Sequence, residues 1–296
     1  MTPQQLGPRV GAWSVVLALC LDASSPVRAL DPSELIVATY NIHHGVGEDD
    51  ALDLRRIAAA LRDSGAAVIG LQEVDKHFGT RSQYADQASE LGRLLMMEHV
   101  YGANIDLPPE QQGGARRQYG TAIVSAYPIV SWSNVPLPNL GGEQRGLLSA
   151  EIDVNGMTIR VLNTHLQNDD PAERSAQTAF IAERLASIDQ PVILLGDLNA
   201  EATASELNVM ESLLQDTWLL AGEGPGFTFP AAAPNRRIDY VFTGLCMPPT
   251  RVTVGRSLAS DHLPLAATLS TVLLLGEQLP RTCDRPPSPD EDAGAH

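Results

Sequence analysis

The sequence is almost without lysine. Of its 20 basic residues only Lys76 is Lys and the rest are Arg, so a phosphate held by a charged side chain would be held by a guanidinium fork. Basic residues are also outnumbered, 20 against 36 acidic, for a formal charge of −16. That argues against a protein that clings to nucleic acid by bulk electrostatics, while leaving room for a local cationic site. Beyond the N-terminal region no apolar run reaches the roughly 18 residues expected of a membrane-spanning helix. No G-x-S-x-G elbow appears, which disfavours a serine hydrolase. There is no internal repeat, and no linker that would split the body of the chain. Cysteines number three, Cys20, Cys246 and Cys283.

What is present divides the 296 residues into three parts. Arg9, the apolar run "AWSVVLALCL" and the small residues Val27 and Ala29 form the pattern of an export segment over 1–29, cut after Ala29. An exported, extracellular or cell-envelope protein is therefore expected. Cys20 would leave with that segment. Cys246 and Cys283 would remain, and a bridge between them would anchor the start of a Pro-rich, acidic tail over 273–296 that cannot bury enough to fold by itself. Two unrelated thiols are the other reading. The chain as a whole is 44% hydrophobic, as expected of a protein with a real core, and the body, 30–272, would hold that core.

Along the body, strands and helices alternate. "ELIVATYNI", "AAVIGLQEV", "YGTAIVSAY", "RRIDYVF", "TRVTV" and "PLAATL" read as strands; "LDLRRIAAALRDSG" and "QASELGRLLMM" read as helices. "LLSAEIDV" and "MTIRVLNTHL" flank Asn155-Gly156, a two-residue hairpin signal. A helix is expected over 171–187, with Pro171 in its first turn, and a short one near 203–214. Hairpins mixed with strand–helix–strand units mean an α/β protein with mixed sheets.

In "PVILLGDLNA" a buried strand ends, after one Gly, in Asp197 and Asn199. Either residue alone reads as a turn or a helix cap. The same pattern recurs elsewhere: Asn41, Glu73 and His165 end strands, Asp239 lies in "RIDYVF", and Asp261 and His262 form "SDH" before the last strand. Ligands gather beyond the carboxyl ends of strands in α/β sheets. The chemistry that uses this set is metal-assisted hydrolysis. Glu73 and Asp261 offer hard oxygens suited to Mg2+ or Mn2+, histidines can donate to a developing oxyanion, and a further carboxylate can orient an imidazole. Asp197 and Asn199, two apart on an extended chain, point the same way and can reach one phosphorus centre.

"TYNIHHG", "GLQEVD", "QYGTAIVSAYPI", "LNTHL", "LLGDLNA", "RIDYVF" and "SDHLP" also stand in the order seen in the endonuclease/exonuclease/phosphatase superfamily. The chain resembles its exported bacterial branch over about residues 35–271. The resemblance implies a four-layer α/β/β/α sandwich of two mixed sheets, like deoxyribonuclease I. It implies a metal site at Glu73 with Asn41 and Asp261, and catalytic roles for five residues. Asp197 positions or deprotonates the attacking water. Asn199 holds the phosphate or that water. His262 lies on the phosphate, oriented by Asp239, and His165 assists the leaving group. Tyr119 and Arg145 match phosphate-contacting residues. His43 departs from the pattern, where some relatives carry Asp and others Arg. A second metal ligand and a direct phosphate contact both stay open for it.

The expected partner is a phosphoester substrate of modest size. A nuclease is the runner-up and a lipid phosphodiesterase the second alternative. The arginine pairs Arg116-Arg117 and Arg236-Arg237 stand beside Tyr119 and Asp239 in sequence, enough to rim a site for one or two phosphates. The loop "GANIDLPPEQQGGARRQ" carries no aromatic, so stable insertion into a bilayer is not expected. No protein partner is implied, and a monomer is expected.

Overall fold

The computed structural model describes residues 33–274. The expected export segment, most of the expected tail and Cys283 lie outside them. Cys246, buried, is in a disulfide, whose partner is likewise outside the described residues.

Two six-stranded sheets form the frame. The first holds β1 (Glu34–Asn41), β2 (Val68–Lys76), β3 (Glu98–Leu107), β4 (Arg117–Ser125), β11 (Pro249–Val254) and β12 (Leu265–Ser270), in the order β11-β12-β1-β2-β4-β3. The second holds β5 (Ile129–Pro136), β6 (Gly146–Val154), β7 (Met157–His165), β8 (Val192–Asp197), β9 (Gln215–Asp216) and β10 (Asp239–Thr243), in the order β5-β6-β7-β8-β10-β9. Only β1–β2 and β7–β8 are parallel pairs. Each parallel pair is joined by a helical crossover, α1 (Leu54–Ser64) in the first and α3 (Pro171–Leu185) in the second. Sheets are therefore mixed, and the fold is the four-layer α/β/β/α sandwich that the resemblance implies.

Three apolar layers hold it together. Val37, Ile123, Leu148, Val161, Ile193, Leu195 and Val241 fill the space between the sheets. Ile57, Leu61, Ile69 and Leu91 pack the first sheet against α1 and α2 (Gln87–Leu95). Leu162, Ile181, Leu194, Met210 and Phe242 pack the second against α3 and α4 (Asn208–Glu211). Central strands are thus buried on both faces, which is why "VILLG" is apolar without alternation. Boundaries follow local chemistry. Asp53, Asp86 and Asp170 accept backbone N–H bonds at the starts of α1, α2 and α3. Gly65 closes α1 at φ 70°, and Asn155-Gly156 turn the β6–β7 hairpin at φ 56° and 89°.

The structure differs from expectation at the edges. "GANIDL", read as loop, belongs to β3, and β5 was not expected at all. The helix near 203–214 is a 3-10 turn, Ser205–Leu207, followed by the single turn of α4. A further short helix, α5 (Thr217–Ala221), precedes β10. Val272–Leu274 form a 3-10 turn with Leu274 buried, so the tail is not free from 273. Among the described residues no helix is long and apolar enough to cross a membrane.

Candidate active site

Sheet register assembles the site. In the second sheet His165 on β7 and Asp239 on β10 both stand opposite Asp197 on β8. Three chemically active side chains therefore end three adjacent strands at one level. In the first sheet, β2 and β4 pair from Val68 to Leu71 and again from Val74, so Gln72 and Glu73 oppose the single residue Thr121. This bulge re-aims Glu73, which sits at φ 57°. Asn163 of β7 secures it from the other sheet. Its amide donates to Leu71 O and Ala122 O at 2.9 and 2.8 Å and accepts from Gln72 Nε2 at 2.7 Å.

Asn41, fully buried at the end of β1, ties the two sheets together. Its Nδ2 donates to Glu73 Oε1 at 3.1 Å and to Asp197 Oδ2 at 3.0 Å, while Oδ1 accepts from the His43 N–H at 3.0 Å. Asp197 Oδ1 accepts from Asn199 N at 2.9 Å. Its Oδ2 lies 3.5 Å from His165 Nε2 and 3.6 Å from His262 Nε2. Burial and the neighbouring Asp239 carboxylate push the Asp197 carboxyl up to about 7, the range in which a general base works best near neutrality.

The two histidines are held in different states. Asp239 Oδ2 accepts from His262 Nδ1 at 2.9 Å. Burial alone would discharge this ring, but the Asp239 and Asp197 carboxylates outweigh it and raise His262 to about 10. It is an imidazolium at neutral pH, with Nε2–H pointing towards Asp197. His165 is lowered well below its usual value by burial, Arg145 and His262, so it is neutral. Arg145 can only donate, and its Nη1 lies 2.9 Å from His165 Nδ1. The neutral ring has one lone pair, for which Arg145 at Nδ1 and the amide of Asn199 at Nε2 compete. Asn199 Nδ2 lies 3.0 Å from the same Nε2 and donates to Leu166 O. Several N–H donors thus crowd around one carboxylate, the electrostatics of a place built for an anion.

Of the other expected residues, Arg145 is buried, its guanidinium engaged by His165 and by Glu143 Oε1 at 3.0 Å. It stands behind the histidine instead of on an open surface. Asp261 Oδ1 lies 3.9 Å from His43 Nδ1 and accepts weakly from Ser260 Oγ at 3.3 Å. Tyr119 makes no side-chain hydrogen bond to the others. Burial, then Glu73 and Glu143, raise its phenol far above the usual value, so it stays a donor. Sequence reasoning missed four supports. His44 comes together with His43 and Glu73, their ligand atoms within 4.8 Å of one another. Ser260 Oγ donates to Asn41 O at 2.7 Å and accepts from His262 N. Phe229 packs against His262 with ring centroids 4.7 Å apart and planes tilted by 44°. Arg81 grips Asp75 through two bonds and lies over the rings of Phe78 and Tyr119. Two carried a signal, Ser260 as the first letter of "SDH" and His44 as the second His of "TYNIHHG".

A metal has a place here. Glu73 offers a carboxylate whose one side-chain bond is from Asn41, and His44 Nδ1 is a buried nitrogen without a partner. The second group of possible ligands, Asp197, Asp239 and His262, is already knit into the hydrogen bonds above.

Fold and site together define a hydrolase of phosphoester bonds. The chain belongs to the endonuclease/exonuclease/phosphatase family, whose model matches residues 38–262; hydrolases of this family are typically divalent-metal dependent. The Escherichia coli K12 protein YbhP is 29% identical over 252 residues, covering 79% of this chain and 95% of YbhP. The endonuclease/exonuclease/phosphatase of Beutenbergia cavernae superposes at a TM-score of 0.67 with 28% identity, over 80% of this chain and 72% of that one. The mannosyl-6-phosphatase Bt3783 of Bacteroides thetaiotaomicron shares the fold at a TM-score of 0.65 with 18% identity, over 79% and 99% of the two chains.

Proposed function

We propose that the protein is a divalent-metal-dependent phosphoesterase that hydrolyses a phosphodiester or phosphomonoester of modest size by in-line attack of water. The observation that carries this reading is the convergence on Asp197 of Asn41, Asn199, His165 and His262. Asp197, poised near neutrality, takes the proton of the attacking water while Asn199 holds that water or a phosphoryl oxygen. His262, kept protonated by Asp239, donates from Nε2 to the charge that develops on the phosphoryl oxygens, and His165 assists the leaving group. Glu73 would hold the ion, with Asn41 and Asp261 beside it. Mg2+ or Mn2+ bound there would neutralise phosphoryl charge and favour ionisation of the water.

Modest substrate size is supported by what the paired arginines do. Arg116 Nε is 2.7 Å from Asp106, and Arg117 Nε is 3.7 Å from Glu110 Oε1. Arg236 faces Glu201 at 3.4 Å, and the buried Arg237 is 2.8 Å from Asp216. These guanidiniums are neutralised within the chain, whereas a polynucleotide needs several free phosphate contacts. The test is a panel of plasmid DNA, RNA, sphingomyelin, phosphatidylinositol and bis-p-nitrophenyl phosphate, with EDTA and then with Mg2+ or Mn2+ restored. Turnover of the small ester that vanishes in EDTA and returns with the ion is expected. Full activity in the chelator would remove the metal from the mechanism. Salt-sensitive nicking of plasmid at nanomolar enzyme would make this a nuclease.

The reading includes export after cleavage at Ala29. It is supported by the export pattern over 1–29 and by the disulfide at Cys246, since disulfides persist in oxidising compartments; Cys283 is the proposed partner. Mature protein should begin at residue 30 and take up no alkylating agent at Cys246 or Cys283 before reduction. Mass spectrometry that finds either thiol free would end the pairing.

A further inference from the structure

We infer that His43 and His44 are metal ligands, so that two imidazoles join Glu73 and the site binds first-row transition ions, Mn2+ among them, in preference to Mg2+. The inference rests on the reading of Glu73 as a metal residue and goes beyond it in the donor set. Three observations carry it. The ligand atoms of His43, His44 and Glu73 already lie within 4.8 Å of one another. His44 Nδ1 is buried and finds no hydrogen-bond partner, which is costly for a polar atom unless something else occupies its lone pair. His43 is prepared in the complementary way. Its Nδ1 lies 3.2 Å from Val46 O; a carbonyl only accepts, so the proton is on Nδ1 and the lone pair of Nε2 is free. Asp261 Oδ1 faces the same Nδ1 at 3.9 Å. An imidazole whose far nitrogen donates to a carbonyl or carboxylate is the usual arrangement of a metal-bound histidine. On this view Asp261 positions His43 and need not touch the ion. Imidazole nitrogen suits the later first-row ions best and Mn2+ still accepts it, while Mg2+ keeps to oxygen and water.

The test needs no substrate. The metal-free full chain is loaded with Mn2+ and examined by pulsed electron paramagnetic resonance. Nitrogen coupling from imidazole is expected, and it should change isotope when the unaltered chain is labelled with 15N-histidine. By calorimetry, His43→Gln and His44→Gln should each lower Mn2+ affinity by on the order of tenfold while leaving Mg2+ affinity within about twofold. A Mn2+ spectrum without histidine nitrogen, or equal affinity of the unaltered protein for the two ions, overturns the inference. Hydrolysis restored by Mg2+ without nitrogen coupling would remove the imidazole ligands and leave the proposed function standing. Nitrogen-coupled Mn2+ in a protein that cleaves no phosphoester would do the reverse.

Discussion

Asp197→Asn is expected to abolish turnover and, in the same molecule, to stabilise the metal-free fold at alkaline pH. Loss of activity follows because the other carboxylate among these groups, Asp239, is already bonded to His262 Nδ1. The gain in stability follows from burial. Asp197 is 1% exposed, and its carboxyl is raised from 3.8 to about 7 by that burial and by Asp239. A raised carboxyl favours the protonated native state. Below the unfolded value of 3.8 both states carry the proton and nothing is lost. Between there and about 7 the unfolded chain ionises first and the native state loses ground, and above about 7 the whole cost is present. That cost, already net of attraction to the His262 imidazolium, is on the order of a few kcal/mol. Asn keeps the shape without the charge. The melting temperature in EDTA should therefore exceed wild type by roughly 2–4 °C at pH 9, with the difference closing near pH 4. A variant less stable than wild type at pH 9 would show that Asp197 is a net support of the fold, not a strained catalytic group.

Asp239→Asn is expected to lower kcat by at least about tenfold, and by as much as roughly 10^4 if His262 behaves as triad histidines do. The carboxylate accepts from His262 Nδ1 at 2.9 Å and is the larger of the two charges that keep the ring protonated. An amide can turn its N–H towards Nδ1, which forces that nitrogen to accept and leaves Nε2 carrying the single proton of a neutral ring. The imidazolium is lost even if the contact is kept. KM should change less than kcat, because the charge matters most when the phosphoryl oxygens gain charge. Titration of His262 followed by NMR should move down from about 10. Wild-type kcat with the imidazolium absent would show that a neutral ring suffices at this position.

The parts of this molecule legible in the sequence are those with a local cause. Central strands announce themselves because both faces are buried, as in "VILLG", and α1 because a capping Asp53 and a closing Gly65 bracket an apolar face. The edge strands β3 and β5 escaped notice for the same reason in reverse. Each pairs on one side only, and much of each is exposed, so Glu98, Asp106, Ser131 and Ser133 break the apolar run. The site residues were visible as polar groups at strand ends, but their partners were not. Nothing local distinguishes an Arg145 that will touch phosphate from one that will sit buried behind His165. His44 follows His43 in a turn whose residues, with Gly45, all take positive φ, and no periodicity reaches it. The bulge that turns Glu73 depends on register against β4, a property of two segments far apart in the chain.

The pairing of β1 with β12 sets when this enzyme can come into being. Glu34 lies opposite Ser270, and Thr39, two residues before Asn41, lies opposite Leu265. The first sheet is thus completed only when β12 pairs with β1, and His262 stands just before β12. A ribosome releasing the chain from its N-terminus delivers Asn41, Glu73 and Asp197 long before their frame exists. Contacts of such long sequence separation form late and slowly. A chain that stops short of β12 therefore carries most of the catalytic side chains and no active site, so hydrolysis requires the chain at least through Ser270.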